Sequence, residues 1–262
     1  MILDKLAASA YIRVERCKIQ KSLEQVKEEA LALDSSTGFP FEKALSAPGM
    51  SFICEVKKAS PSKGMIAEDF PYLQIALDYE KAGAAAISVL TEPEYFLGSD
   101  AYLKDITKAV SIPVLRKDFT VDAYQIYEAK VLGASAVLLI CAILSDEQLE
   151  EYQQIAWHLG LSVLVEAHDQ EEVARAAKAG ARIIGVNNRN LKDFTVDIQN
   201  SVRLRNQIPE GVIYVSESGI KGAPEVGTLY RNRTDAVLIG ETLMRSPDKV
   251  LGLQKLRSEC HD

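Results

Sequence analysis

Two apolar patterns alternate along the chain. Short aliphatic runs recur at FICEVK (52–57), AAISVL (85–90), IPVLRK (112–117), AVLLI (136–140), LSVLVE (161–166), RIIGVN (182–187), VIYVSE (212–217) and AVLIG (236–240). They lack polar alternation, as expected of strands covered on both faces. Between them lie stretches with helical spacing, such as PYLQIALDYEKAG, where Leu73, Ala76 and Leu77 share a face. Ser145-Asp146-Glu147 and Asp169-Gln170-Glu171-Glu172 open two such stretches with capping side chains and early carboxylates. Gly83, Gly133, Gly160 and Gly180 each close a helical stretch and lead into a strand, the position of a left-handed cap.

Eight strand–helix units predict an α/β protein with a parallel sheet. Eight units favour a closed (β/α)8 TIM barrel over an open doubly wound sheet. Residues 1–48 stand outside these units. From Ile2 to about Leu33 they read as one or two charged amphipathic helices, before Gly38-Phe39-Pro40 and Pro48-Gly49 punctuate the approach to the first strand. The expected organisation is one barrel domain over 1–262, with an N-terminal helical extension (1–48) and the barrel proper (49–262). The extension fits either a plug on the barrel floor or a cover over its catalytic rim.

Bulk composition narrows the class. At 262 residues the chain can bury a full core, and 47% hydrophobic with 26% charged residues is ordinary for a globular protein. A net charge of −7 disfavours nucleic-acid binding through a general basic surface. The N-terminus lacks a signal-like apolar core, and no apolar run is long enough to predict a membrane span. The four cysteines, Cys17, Cys54, Cys141 and Cys260, show no metal-ligand spacing and read as reduced thiols of a cytoplasmic protein.

The candidate chemistry lies at the strand ends, where such barrels build their sites. The ionisable groups there are Glu55, Lys57 and Lys58, Arg116, Lys117 and Asp118, Glu166 and His168, Arg189 after Asn187, and Glu217. Glu55 and Lys57 are two apart and point to the same side of their strand. Charges inside aliphatic strands are costly unless paired or used, so Glu55 fits a structural ion pair as well as a functional role. Lys117 and Glu166 each end an apolar strand and are the stronger acid–base candidates. His168, just past its strand, reads as a capping or surface residue rather than a base. Arg189 reads as an anion clamp rather than a rim salt bridge. A Schiff base on Lys57 or Lys117 is a chemical alternative. Lys58-Ala59-Ser60-Pro61-Ser62-Lys63-Gly64 has the composition of a mobile lid, or of a plain surface loop. No metal cluster, Walker loop or dinucleotide fingerprint is present, so no metal and no organic cofactor is expected.

The last two strands each run into glycine, at Ser216-Glu217-Ser218-Gly219 and at Ile239-Gly240-Glu241. Glycine lets backbone N–H groups approach an anion, and in a parallel barrel these two joints form the usual phosphate site. A phosphorylated small molecule is the expected ligand.

CEVKKASPSKG (54–64), SVLTEPEYFLGS (88–99), LRKDF (115–119), LLI (138–140), LVEAH (164–168), GVNNRNL (185–191), SESGI (216–220) and VLIGETLM (237–244) together resemble indole-3-glycerol-phosphate synthase, in order from about residue 2 to 257. The resemblance implies a (β/α)8 barrel with a helical extension and a carboxy-lyase of tryptophan biosynthesis. The substrate would be 1-(2-carboxyphenylamino)-1-deoxyribulose 5-phosphate, converted to indole-3-glycerol phosphate, carbon dioxide and water without a cofactor. It implies Lys117 as general acid at the ketone, Glu166 as base, Lys57 as acid and electrostatic anchor, and Glu55 as the partner orienting Lys57. Asn187 and Arg189 would position the substrate. Ser218, Gly219, Gly240, Glu241 and Ser60 would hold the phosphate, and Phe96, Phe119, Leu138 and Leu191 would wall the aromatic ring. It implies a monomer or weak homodimer, and leaves room for association with other tryptophan-pathway enzymes. Ala167, where valine is more frequent, and Thr234, where glycine is common, are small departures. The neighbouring readings are an enzyme like phosphoribosylanthranilate isomerase, which would show a cysteine/aspartate pair at strand ends, and a non-catalytic phosphate-binding barrel.

Overall fold

The computed structural model describes residues 2–190 and 194–260. Eight parallel strands close into a barrel: β1 (Ser51–Val56), β2 (Ala86–Leu90), β3 (Val114–Lys117), β4 (Ala136–Ile140), β5 (Ser162–Ala167), β6 (Ile183–Asn187), β7 (Ile213–Glu217) and β8 (Ala236–Ile239). Each strand pairs with its neighbours in sequence, and β1 closes on β8 with Ser51 opposite Ala236. The expected strands agree with these to within two residues at either end. The largest offset, at β3, falls at Pro113, which has no N–H to give to a ladder.

Ahead of the barrel lie α1 (Ile2–Gln20), α2 (Leu23–Leu31) and α3 (Pro40–Leu45). The crossover helices are α4 (Tyr72–Lys81), α5 (Asp100–Ala109), α6 (Ala123–Val131), α7 (Asp146–His158), α8 (Gln170–Lys178), α9 (Gln199–Leu204) and α10 (Ala223–Arg231), and after β8 come α11 (Glu241–Met244) and α12 (Lys249–Arg257). Ser145 and Asp169 cap α7 and α8 as expected, each accepting the backbone N–H three residues on. Gly83, Gly133, Gly160 and Gly180 all adopt positive φ, between 72° and 88°. No helix among the described residues is long and apolar enough to cross a membrane.

Strand periodicity sorts side chains into two cores. Outward residues such as Val56, Val89, Val137, Val163 and Val237 pack under the helices. Inward residues fill the lumen, with Ile53, Ala86, Leu115, Leu164, Ile183 and Val215 among them. The same inward parity, carried to the strand ends, brings Glu55, Lys57, Lys117, Glu166, Asn187 and Glu217 to the C-terminal mouth.

The extension serves both ends of the barrel. Arg13 on α1 donates to Asp118 (2.6 Å) and to the carbonyl of Thr91 (3.3 Å), beyond the C-terminal ends of β3 and β2. Ile2 and Leu6 of α1 line the cavity at that mouth. Next, α2 packs on α6. The chain then descends, with Lys130 donating to the Asp34 carbonyl (2.6 Å) and Thr37 to the Gly160 carbonyl (2.6 Å). At the N-terminal mouth, Phe41 and Leu45 of α3 are buried against the lumen residues. Nearby, the Arg182 guanidinium lies between the rings of Phe39 and Trp157, 4.2 and 4.6 Å from their centroids. Plug and cover are therefore supplied by different helices of one strap.

Phe41 is fully buried at the closed end, so Phe41→Ala should cost about 3–5 kcal/mol of stability. Because it lies at the mouth opposite the charged cluster, kcat of the folded variant should stay close to wild type. Denaturant titration with parallel kinetics checks both; an unchanged midpoint would show that the plug is dispensable.

Candidate active site

The C-terminal mouth opens into a cavity of about 880 Å³. Its walls include Glu55, Lys57, Ser60, Phe96, Lys117, Phe119, Leu138, Glu166, Asn187, Arg189, Ser218, Gly219, Gly240 and Glu241. Of the candidates drawn from the sequence, Leu191 alone lies outside the described residues.

Two ion-paired groups occupy the floor. Lys57 Nζ is 2.5 Å from Glu55 Oε1. Lys117 Nζ is 3.4 Å from both Glu166 Oε2 and Glu217 Oε2. Burial alone would lower the Lys117 pKa, but Glu217, Glu166 and Glu55 outweigh it and raise it, keeping the ammonium form. Burial pushes Glu166 up, while Lys117 and His168 together with a hydrogen bond from Asn187 pull it below the ordinary carboxyl value. Glu217 goes the other way. Burial, reinforced by Glu166 and Glu55 against the opposing pull of Lys117, raises it to about 8. Three carboxyls thus face two lysines here, and Glu217 is the one whose surroundings favour the protonated form.

Space for these charges comes from absent side chains. A Cβ on Gly185, in the middle of β6, would run into the Glu217 carboxylate. One on Gly240 would strike Glu55 Oε1 and Lys57 Nζ. Gly185 has no positive φ, so its contribution there is room rather than backbone freedom.

The polar rim is prearranged. Ser218 and Gly219 both take left-handed φ (67° and 86°), and α11 begins directly after Gly240. Asn188 holds the first of these turns, its side-chain amide donating to the carbonyl of Ser218 and to Ser216 Oγ, both at 3.0 Å. Arg189 donates its backbone N–H to Asn187 Oδ1 (3.0 Å) and its guanidinium to the Phe194 carbonyl (3.3 Å). The rings of Phe96 and Phe119 are 6.1 Å apart. Buried Glu92 fixes the Phe96 loop by accepting the N–H groups of Glu94, Tyr95 and Phe96 at 2.7–2.9 Å. The 58–64 segment forms most of a short hairpin, Ala59–Ser60 paired with Gly64–Met65, and its Lys63 Nζ lies 3.6 Å from Glu241 Oε1.

Two positions differ from expectation. His168 is neither a surface residue nor only part of a cap. Two residues beyond Glu166, it keeps that residue's inward parity, and its Nε2 lies 3.4 Å from Glu166 Oε1. Glu217 was visible as a strand-end acid but not as the second carboxylate on Lys117; its parity with Val215 was the available signal. Asn188 and Gly185 had no signal of their own, because their effects depend on neighbouring strands.

A closed (β/α)8 barrel with lysine–glutamate pairs and two glycine joints at its C-terminal mouth defines a barrel enzyme of the phosphate-binding type. Comparison with known proteins makes this specific. The profile of the family described as indole-3-glycerol phosphate synthase matches residues 3–256. The chain is 62% identical over 260 residues to the indole-3-glycerol phosphate synthase of Ruminiclostridium cellulolyticum, covering 99% of this chain and 100% of that one. It is 57% identical over 257 residues to that of Endomicrobium trichonymphae, covering 98% and 100%. Among solved structures, 3-hexulose-6-phosphate synthase superposes with a TM-score of 0.66 at 13% identity, over 81% of this chain and 100% of that one, a likeness of fold alone. The chain belongs to the indole-3-glycerol phosphate synthase family.

The raised Glu217 has a stability consequence. Between about 4.3, the ordinary glutamate value, and about 8, the folded state keeps a proton that the unfolded state has released. Stability contributed by Glu217 therefore falls as pH rises through that window. Glu217→Gln removes this dependence, so its stability relative to wild type should rise from pH 5 to pH 8.5. Urea titrations of both proteins at the two pH values read the difference; a pH-independent gap would contradict the raised Glu217.

Proposed function

We propose that the chain converts 1-(2-carboxyphenylamino)-1-deoxyribulose 5-phosphate into indole-3-glycerol phosphate, carbon dioxide and water. The observation that carries this reading is the convergence, in one cavity, of the Lys117–Glu166–Glu217 cluster, the Lys57–Glu55 pair and the two glycine joints in a member of this family. In this reading Ser218, Gly219, Gly240, Glu241 and Ser60 receive the phosphate. Phe96, Phe119 and Leu138 face the aromatic ring, and the assignment of Leu191 to that wall rests on the resemblance. Asn187 and Arg189 place the substrate and its carboxylate.

The steps follow from the charges. The Lys117 ammonium bonds the ketone oxygen. As the aryl carbon attacks, that oxygen gains negative charge and takes the lysine proton, a transfer toward the more basic atom. The carboxylate leaves as carbon dioxide, and its electron pair restores the aromatic ring. Lys57, oriented by Glu55, protonates the departing hydroxyl, and Glu166 takes the proton released as the indole double bond forms. Electron count is conserved throughout, so the scheme calls for no redox partner. The enzyme is proposed to work in the cytoplasm as a monomer or weak homodimer, with room for association with other tryptophan-pathway enzymes.

An isomerase-like mechanism would need a thiol and a carboxyl at the strand ends. Cys54 and Cys141 lie instead in the outer core, where burial pushes both thiols up to about 12. A non-catalytic barrel would have no use for a lysine buried between two carboxylates, since unmatched buried charge is expensive.

Lys117→Ala should lower kcat by ~10²–10⁴-fold with little change in KM, because the lysine acts on charge that develops in the transition state. Ser218→Ala should act mainly through KM, because the phosphate is bound equally in ground and transition states. The fluorescence of the indole product gives both constants, with circular dichroism as the folding control. A near-normal kcat for Lys117→Ala would make it a substrate anchor and move the proton donor to Lys57. Wild-type activity should also survive exhaustive chelation and desalting; a loss restored by a divalent ion would overturn the metal-free scheme.

A further inference from the structure

The proposed acid–base scheme makes no use of His168, yet this side chain is aimed at its base. The ring is buried to 16% side-chain exposure. Nδ1 lies 3.0 Å from Glu172 Oε2. The same carboxylate oxygen accepts the His168 backbone N–H at 2.8 Å, so Glu172 on α8 fixes main chain and ring together. From α9, Asn200 donates to the His168 carbonyl at 2.8 Å. The imidazole is thereby locked against swinging out to solvent. Its Nε2, buried and without a completed hydrogen bond, points at Glu166 Oε1 from 3.4 Å. The other oxygen of Glu166 is 3.4 Å from Lys117 Nζ. The carboxylate is therefore held between two nitrogen groups, one on each oxygen.

We infer that His168, held by Glu172, is a positioning residue for Glu166: it fixes the carboxylate through Oε1 and leaves Oε2 to exchange protons with substrate. The inference rests on the reading of Glu166 as the base. A base helps only if its lone pair is aimed, and an error of about 1 Å in such a group costs on the order of 10²-fold in rate. A histidine oriented by a second carboxylate is a common way to fix a reacting group. With the Nδ1 proton engaged by Glu172, Nε2 carries a proton only in the imidazolium form. Burial disfavours that form, but Glu172 on α8, Glu166 on β5 and Glu217 on β7 outweigh burial and raise the histidine above its ordinary value. Lys117 on β3 faces the cluster from beyond Glu166. The His168–Glu166 contact is accordingly present at lower pH and lost as pH rises through the raised histidine value.

Removing the cation frees Glu166 to titrate higher, so the acid limb of the rate profile should move up in pH. Asparagine keeps a donor near Nδ1 and loses the reach to Glu166; glutamine keeps a donor near Nε2. His168→Asn should lower kcat by ~10–10²-fold with KM changed far less, and should shift the acid limb upward. His168→Gln should recover part of kcat without restoring the limb. Glu172→Gln, which leaves His168 in place, should also move the limb, so a poorly folded His168→Asn does not remove the test. A second readout is independent of turnover. The chain has three histidines, and imidazole nitrogen resonances assigned with His168→Gln report each titration. The His168 midpoint should fall in both Glu172→Gln and Glu166→Gln. A midpoint indifferent to Glu166→Gln overturns the inference, as does His168→Asn with wild-type kcat and an unmoved limb. If the wild-type protein turned over none of the proposed substrate, the functional reading would fail alone, and the titrations would still decide whether His168 holds Glu166.

Discussion

The charged cluster in the barrel mouth is the constraint around which the rest is arranged. Two lysines and three glutamates are largely buried together at the cavity floor, and each would be costly there alone. The arrangement is tolerable because every lysine touches a carboxylate and because the surplus acid, Glu217, rises to about 8 and keeps its proton near neutrality. Lys117 keeps its ammonium form when buried because carboxyl groups flank it on both sides. Those carboxylates in turn need Gly185 and Gly240 to leave them room. Gly185 is tolerable in a strand interior because the barrel supplies ladder partners on both sides, and Gly240 lies just past its strand, at the start of α11. Acid–base function, residue size and topology are thus different faces of one electrostatic balance.

What was legible in the sequence follows from how local each signal is. Strands buried on both faces announce themselves by unbroken aliphatic runs, and helix ends by capping residues and glycines, so the barrel could be read from short windows. Glu55, Lys57, Lys117 and Glu166 were visible because charge at the end of an apolar run is anomalous in its own window. The two glycine joints pointed to a phosphate in the same local way, and the resemblance then supplied the proposed roles and the expected ring contacts, which no window shows. Glu217 as partner of Lys117, and Gly185 as its vacant neighbour, depend on which strands lie across the lumen. His168 was misjudged for a related reason. The helix-start residues after it suggested a cap, and its backbone does take part in one, but strand parity persists one residue past the ladder and turns the ring inward. The extension's double use, cover at one mouth and plug at the other, depends on a path across the outside of the barrel that helical periodicity does not encode.

The strand carrying Lys117 shows how position is enforced. Alternation along β3 sends Lys117 inward and its two neighbours, Arg116 and Asp118, outward. Arg116 bonds Asp100 at the start of α5 (2.8 Å), Glu128 on α6 (2.7 Å) and the Gln125 carbonyl (3.0 Å). Asp118 accepts from Arg13 on α1 and from Thr91 after β2, both at 2.6 Å. One strand end is thereby bolted to three helices and to the neighbouring strand. A lysine has four flexible torsions, and holding its ammonium group in place costs side-chain entropy wherever its base is free to move. Fixing the backbone on both sides limits that cost to the side chain itself, which the two glutamates then restrain. Arg13 matters most in this arrangement because it belongs to the extension. The same helix that lays Ile2 and Leu6 over the mouth also anchors the residue next to the proposed proton donor. Covering the cavity and bracing the strand end that carries Lys117 thus fall to one helix. The extension is thus built into the C-terminal mouth of the barrel as well as its floor, rather than appended to a finished barrel.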